Sequence, residues 1–153
     1  MTQNIDKNVY NLPNMLPYSF YSSGKEYDVL AVKANMGVGK TQNLPYIIDM
    51  YDKVVILSFR ISLDKQYVNN FNGFELYSDI QSPYYITDDH PKMVVQVDSF
   101  NKVRGNIDLL ILDEVTYTMS QLIYSKKRDL NYNAIEQYLS DKNIKIILLD
   151  ALL

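Results

Sequence analysis

Two groups of residues carry the chemistry this sequence can do. The first is Gly37-Val38-Gly39-Lys40-Thr41, which ends the stretch VLAVKANMGVGKT running from Val29 to Thr41. Glycines let a backbone curl closely round an anion, a lysine adds positive charge, and a threonine hydroxyl can take a place on a metal ion. Together they suit the phosphates of a nucleotide. The pattern G-x-x-x-x-G-K-[ST] is met at Gly39, Lys40 and Thr41, with Ala34 where the first glycine would stand. Gly37 supplies the missing flexibility, and Ala34 is small enough for a close turn. The second group is Asp113-Glu114, adjacent carboxylates directly after the apolar run Leu109-Leu110-Ile111-Leu112. An Asp at a strand end facing a phosphate loop can organise magnesium, and a neighbouring Glu can polarise a water. The plainer reading is a charge pair favoured by the dipole at a helix start. A phosphate loop in the same chain weighs against it.

Such groups need a scaffold to bring them together, and the hydrophobic pattern supplies one. Val29 to Val32 reads as a short strand feeding the loop, and Leu44, Ile47, Ile48 and Tyr51 form a helical stripe behind it, with Pro45 in the first turn. Val54 to Leu57 is a continuous apolar run of the kind covered on both faces of a parallel sheet. Ser58 and Arg60 follow at its carboxyl end, where ligands gather in such sheets, and are candidates by position. A helix from Ser62 with Leu63, Tyr67 and Phe71 on one face ends between Asn69 and Gly73. Phe74 to Tyr77 and Tyr84 to Ile86 read as short strands, and Met93 to Val97 as a buried one whose end offers Asp98 or Ser99 as a helix cap. Val115, Met119, Leu122 and Ile123 give one further helical stripe, and Ala134, Ile135, Tyr138 and Leu139 another. Ile144 to Leu149 is the last strand.

Five apolar strands alternating with helices imply an α/β fold with a largely parallel sheet of about five to six strands. Residues 1–27, holding Pro13, Pro17 and Gly24, read as an irregular lead-in with room for one short strand, and residues 28–153 as the domain proper. Tyr10, Tyr18 and Phe20 are suited either to stacking on an adenine or to closing the edge of the core, which burial tendencies favour. Asp88, Asp89 and His90 read better as a solvated turn than as a metal site, since no matching ligand set stands elsewhere. Lys126-Lys127-Arg128 reads as a solvated basic cluster.

Composition narrows the functional classes. With 47% hydrophobic and 22% charged residues over 153 positions, the chain has the balance of one globular domain. No apolar run approaches the ~20 residues that cross a bilayer, and the amino terminus lacks the pattern of a signal peptide. An intracellular protein, in the cytoplasm or a host nucleus and without a membrane partner, is the expectation. The absence of cysteine excludes disulfides and thiolate metal sites. A net charge of −3 argues against nucleic-acid binding by bulk electrostatics, though not against local phosphate contacts.

From about Val29 onward the chain resembles the first motor domain of superfamily 2 helicases, in particular the herpesvirus-type replication-origin-binding helicases of large DNA viruses. Five segments in order carry the likeness: Ala34 to Thr41 for motif I, in the A-x-x-G-x-G-K-T form that accounts for Ala34; Val55 to Arg60 with Leu63 and Gln66 for motif Ia; Val95 to Phe100 for motif Ib; Leu110 to Val115 for motif II; and Asp150-Ala151 for motif III. The resemblance implies a three-layer, RecA-like P-loop NTPase domain with ATP and Mg2+ as cofactors. It implies that backbone amides of Gly37, Val38, Gly39 and Lys40 cradle phosphate, Lys40 holds the β- and γ-phosphates, Thr41 and Asp113 organise magnesium and Glu114 positions the attacking water. Ser58, Arg60 and Ser99 would face the backbone of a nucleic acid, most simply DNA, and Asp150 would sense the nucleotide state. Family members continue into a second motor domain that supplies arginine fingers, in cis or in trans, so these 153 residues are expected to bind nucleotide weakly and hydrolyse little alone. Two other readings remain: a DNA-packaging ATPase sharing the same loop and Asp-Glu strand end, and a non-catalytic nucleotide-binding interaction module.

Overall fold

The computed structural model describes residues 3–4, 9–11, 18–33, 44–59 and 61–150. The stretch from Ala34 to Asn43, with Gly37, Val38, Gly39, Lys40 and Thr41, lies outside the described residues, as do Arg60, Ala151 and the side chain of Tyr10. In chain order the strands and helices are β1 (Gln3–Asn4), β2 (Val9–Asn11), β3 (Tyr21–Ser22), β4 (Lys25–Glu26), β5 (Val29–Lys33), α1 (Leu44–Ile48), β6 (Val54–Ser58), α2 (Ile61–Asn70), β7 (Phe74–Leu76), β8 (Tyr84–Tyr85), β9 (Lys92–Gln96), β10 (Val103–Arg104), β11 (Leu109–Leu112), α3 (Val115–Tyr124), α4 (Arg128–Leu139) and β12 (Lys145–Asp150). A 3-10 turn over Val97–Lys102 follows β9.

One sheet dominates, in the order β1-β2-β5-β12-β11-β6-β9-β7. All its neighbouring strands run parallel except the antiparallel pair β1 and β2. β6 and β11 are buried along their whole length, which is why they are written as unbroken apolar runs. Val54, Ile56, Leu109 and Ile111 pack in one cluster with Leu44 and Ile47 of α1 and Tyr67 of α2. Val55, Leu57, Leu110 and Leu112 pack on the other face with Leu122 of α3 and Ile135 of α4. The result is a helix–sheet–helix sandwich in which each buried Leu or Ile contributes roughly 1.5–3 kcal/mol.

The structure departs from the sequence expectation in several places, each with a physical cause. The main sheet has eight strands among the described residues, more than about five to six, because short strands join both edges. Part of the irregular lead-in is strand: β2 pairs with β5 in parallel, and β3 and β4 form a hairpin turning through Ser23 and Gly24, both at positive φ. Tyr18 and Phe20 are 4% and 3% exposed and belong to the core, so neither ring is open to a base. The helix behind the loop stops at Ile48, and Tyr51 packs half-buried beyond it with its ring edge-on to Phe20. On α3 and α4, Ile123 and Leu139 are exposed, while Thr118 and Asn131 are fully buried. A side chain that can hydrogen-bond its surroundings tolerates burial, and here such bonds outweigh the apolar stripe.

Candidate functional site

The parallel register brings the carboxyl ends of the central strands to one edge. Ala31, Leu148, Leu112, Leu57 and Val95 form a rung across β5, β12, β11, β6 and β9. One step further along, Asp113 comes level with Ser58 and Leu149, and its amide continues the ladder by donating to the Leu57 carbonyl at 3.0 Å. Asp150 closes β12 opposite Lys33, the last described residue before the Gly-Lys-Thr stretch. Only β12 lies between β5 and β11, so the end of β5 is about 10 Å from the start of the Asp-Glu pair. In open α/β sheets this edge is where ligands bind.

Asp113 is 3% exposed and held on both oxygens: the Tyr67 hydroxyl of α2 donates to Oδ2, and the Glu114 amide donates to Oδ1 at 2.9 Å. Its carbonyl accepts from Thr118 Oγ1 at 2.6 Å and so fastens the strand end to α3. Glu114 is half-buried and adopts the left-handed region, with φ 45° and ψ 56°. For a residue bearing a Cβ that conformation costs about 1–2 kcal/mol, and such strain gathers at functional sites. Here it turns the chain from β11 into α3 within two residues. Asp150 is fully buried, and its Oδ2 accepts the Thr116 amide at 2.6 Å, so the end of β12 grips the first turn of α3 immediately after Glu114. A carboxylate offers oxygen atoms as ligands. Its donor set therefore suits a hard, oxygen-seeking cation such as Mg2+.

The residues expected near a nucleic acid are placed less uniformly. Ser58 sits at the edge as its position in the sequence requires but is 0% exposed, so it does not present its hydroxyl to an outside strand. Phe59 next to it stacks on Tyr117 of α3, with centroids 5.6 Å apart. Ser99 is half-buried on the 3-10 turn after β9. Neither it nor Asp98 caps that turn: the cap position is Gln96, which makes no side-chain capping bond. The turn is held instead by Asn131, whose Oδ1 accepts the Asn101 amide at 2.7 Å while its Nδ2 donates to the carbonyls of Asp98 and Lys127, each at 3.2 Å.

Away from this edge, His90 Nδ1 lies 2.7 Å from Glu75 Oε1, and Asp88 pairs with Lys53 at 3.4 Å. Lys126, Lys127 and Arg128 are exposed. No helix among the described residues is long and apolar enough to cross a membrane.

Tyr67 and Asn131 were missed as site-building residues. Tyr67 falls in an apolar helical stripe, and nothing in its neighbourhood in the chain marks its hydroxyl as the partner of a carboxylate 46 residues away. An Asn on the buried side of a helical pattern is the one signal that was available for Asn131.

Comparison with known proteins finds relatives among viral replication origin-binding proteins. A replication origin-binding protein of human herpesvirus 6B is 32% identical over 126 residues, covering 74% of this chain and 16% of its own length. The replication origin-binding protein of human herpesvirus 7 is 33% identical over 103 residues, covering 62% of this chain and 13% of its own. A protein of Acanthamoeba polyphaga mimivirus is 31% identical over 116 residues, 66% of this chain and 14% of the relative. The chain thus spans about one-seventh of the length of these relatives. The profile of the origin of replication binding protein family matches residues 9–153, nearly the whole sequence, and the chain belongs to that family.

Proposed function

We propose that this chain is the ATP-binding, RecA-like first motor domain of a DNA helicase that acts at viral replication origins. The observation that carries the reading is the Asp113-Glu114 pair, held at the carboxyl edge of a parallel sheet with only β12 between its strand and β5, which precedes Gly37 to Thr41 in the chain. The family membership supports the origin-directed part.

In this reading the backbone amides from Gly37 to Lys40 bind the phosphates, and Lys40 sets the charge on the β- and γ-groups. Thr41 and Asp113 hold Mg2+, which when bound neutralises charge on the phosphate oxygens. Asp113 is kept in one orientation by Tyr67 and the Glu114 amide. Glu114, next to Asp113 at the same strand end, positions and polarises the attacking water. Asp150 ties β12 to α3, so a shift at one is felt at the other. Nucleic acid lies beyond β6 and β9, with Arg60 and Ser99 as contacts. A second motor domain supplies the arginine that completes the charge balance.

Titration of the 153-residue chain with a fluorescent ATP analogue in Mg2+ tests this directly. Lys40→Ala is expected to weaken binding about 10–100-fold, the loss of one charge-assisted contact. Equal affinity in wild type and variant sinks the reading and leaves the non-catalytic module.

A further inference from the structure

The hydroxyl of Tyr67 has a function that its position in an apolar stripe conceals. Tyr67 is 5% exposed and its ring is fixed in a file of aromatic contacts: Tyr67 to Phe71 with centroids at 5.3 Å, and Phe71 to Phe74 of β7 at 6.0 Å. That packing accounts for the ring but not for the phenol oxygen, because a phenylalanine fills the same space. The oxygen is used at one end of the file, where it donates to Asp113 Oδ2.

Asp113 follows the last residue of β11, at the point where the chain leaves the strand for α3. A carboxylate there can rotate about its side-chain torsions, and each unproductive rotamer lowers the population able to meet a cation. The Glu114 amide restrains Oδ1 at 2.9 Å, but it belongs to the adjacent residue and moves with the same turn. Tyr67 restrains Oδ2 from a different element, packed on the sheet face opposite to α3. The two donors together fix the plane of the carboxylate.

We propose that Tyr67 is a positioning residue that orients Asp113 for a divalent cation, and that it makes the cation site depend on the placement of α2. α2 begins three residues after the end of β6, so any ligand that shifts the segment following Ser58 also shifts the donor on Asp113. This rests on the nucleotide-binding reading above and adds to it a route from the β6 edge to the metal-holding carboxylate.

The test uses the 153-residue chain as wild type, Tyr67→Phe and Lys40→Ala, titrated with a fluorescent ATP analogue at a series of Mg2+ concentrations and in EDTA, with thermal melting alongside. Tyr67→Phe is expected to keep the metal-free affinity of wild type and to need about tenfold more Mg2+ for half-maximal enhancement, as loss of a hydrogen bond to a charged group implies. An unchanged Mg2+ requirement in Tyr67→Phe, with Lys40→Ala impaired, overturns the role of Tyr67 and leaves the nucleotide site standing. Loss of affinity in EDTA and Mg2+ alike, together with a lowered melting temperature, also overturns it, since that is what a merely structural tyrosine does. Wild type and Lys40→Ala behaving identically overturns both.

Discussion

β12 carries a lysine at one end and an aspartate at the other, and the two ends of the sheet hold their charges differently. At the amino edge Lys145 Nζ meets Glu26 at 2.8 Å and Asp28 at 2.9 Å, with the Tyr27 carbonyl at 3.2 Å and the Phe20 ring below it. Burial pulls the Lys145 ammonium down, but the hydrogen bonds it donates to Glu26 and Asp28 overcome that and hold it above the ordinary lysine value. Those carboxylates are half or more exposed, so water and salt compete for them. At the carboxyl edge Asp113 and Asp150 are buried, and their oxygens take a tyrosine hydroxyl and backbone amides. One edge closes a sheet with ion pairs that the solvent can replace. The other holds carboxylates in fixed directions, which is what a ligand site requires and a closed edge does not.

If that contrast is right, substitutions at the carboxyl edge cost more than those at the amino edge. The largest effect is expected from Asn131→Ala, which strands the Asn101 amide and removes the Nδ2 donor to the Asp98 carbonyl, and lowers unfolding free energy by about 3 kcal/mol in a urea titration. Asp150→Ala removes the acceptor of the Thr116 amide and is expected to cost about 2 kcal/mol, with the loss insensitive to added salt. Lys145→Met is expected to cost no more than about 1 kcal/mol, and less in high salt. Because its folded pKa is raised, the Lys145 contribution is complete below the unfolded value of 10.5 and fades only as pH rises through the raised one. A Lys145→Met loss larger than that of Asp150→Ala at neutral pH would break the comparison.

How much of this could be read in the chain varies with the distance over which each interaction acts. β6, β9, β11 and β12 were legible because the central positions of strands covered on both faces are apolar without alternation. The Asp113-Glu114 pair was legible because charge directly after such a run has no packing explanation. β1 and β2 were not, because edge strands of two or three residues carry too few positions to show a period, whereas the aromatic and apolar residues of β7 marked it as a short strand. Ile123 fits the apolar stripe of α3 yet is 60% exposed, since the helix buries Leu122 and, one turn before it, Thr118, whose hydroxyl donates to the Asp113 carbonyl.

The sequence by itself determined the α/β class and the placing of an Asp-Glu pair directly after a buried strand, because hydrophobic periodicity and local residue chemistry are written within a few neighbouring positions. Only the tertiary structure decided that β12 inserts between β5 and β11, that Ser58 is enclosed, and that Asp113 is steered by Tyr67 and the first turn of α3 by Asp150. Those depend on which strands become neighbours and which buried groups find donors. Such contacts join positions 34 and 46 residues apart, beyond the reach of any local pattern.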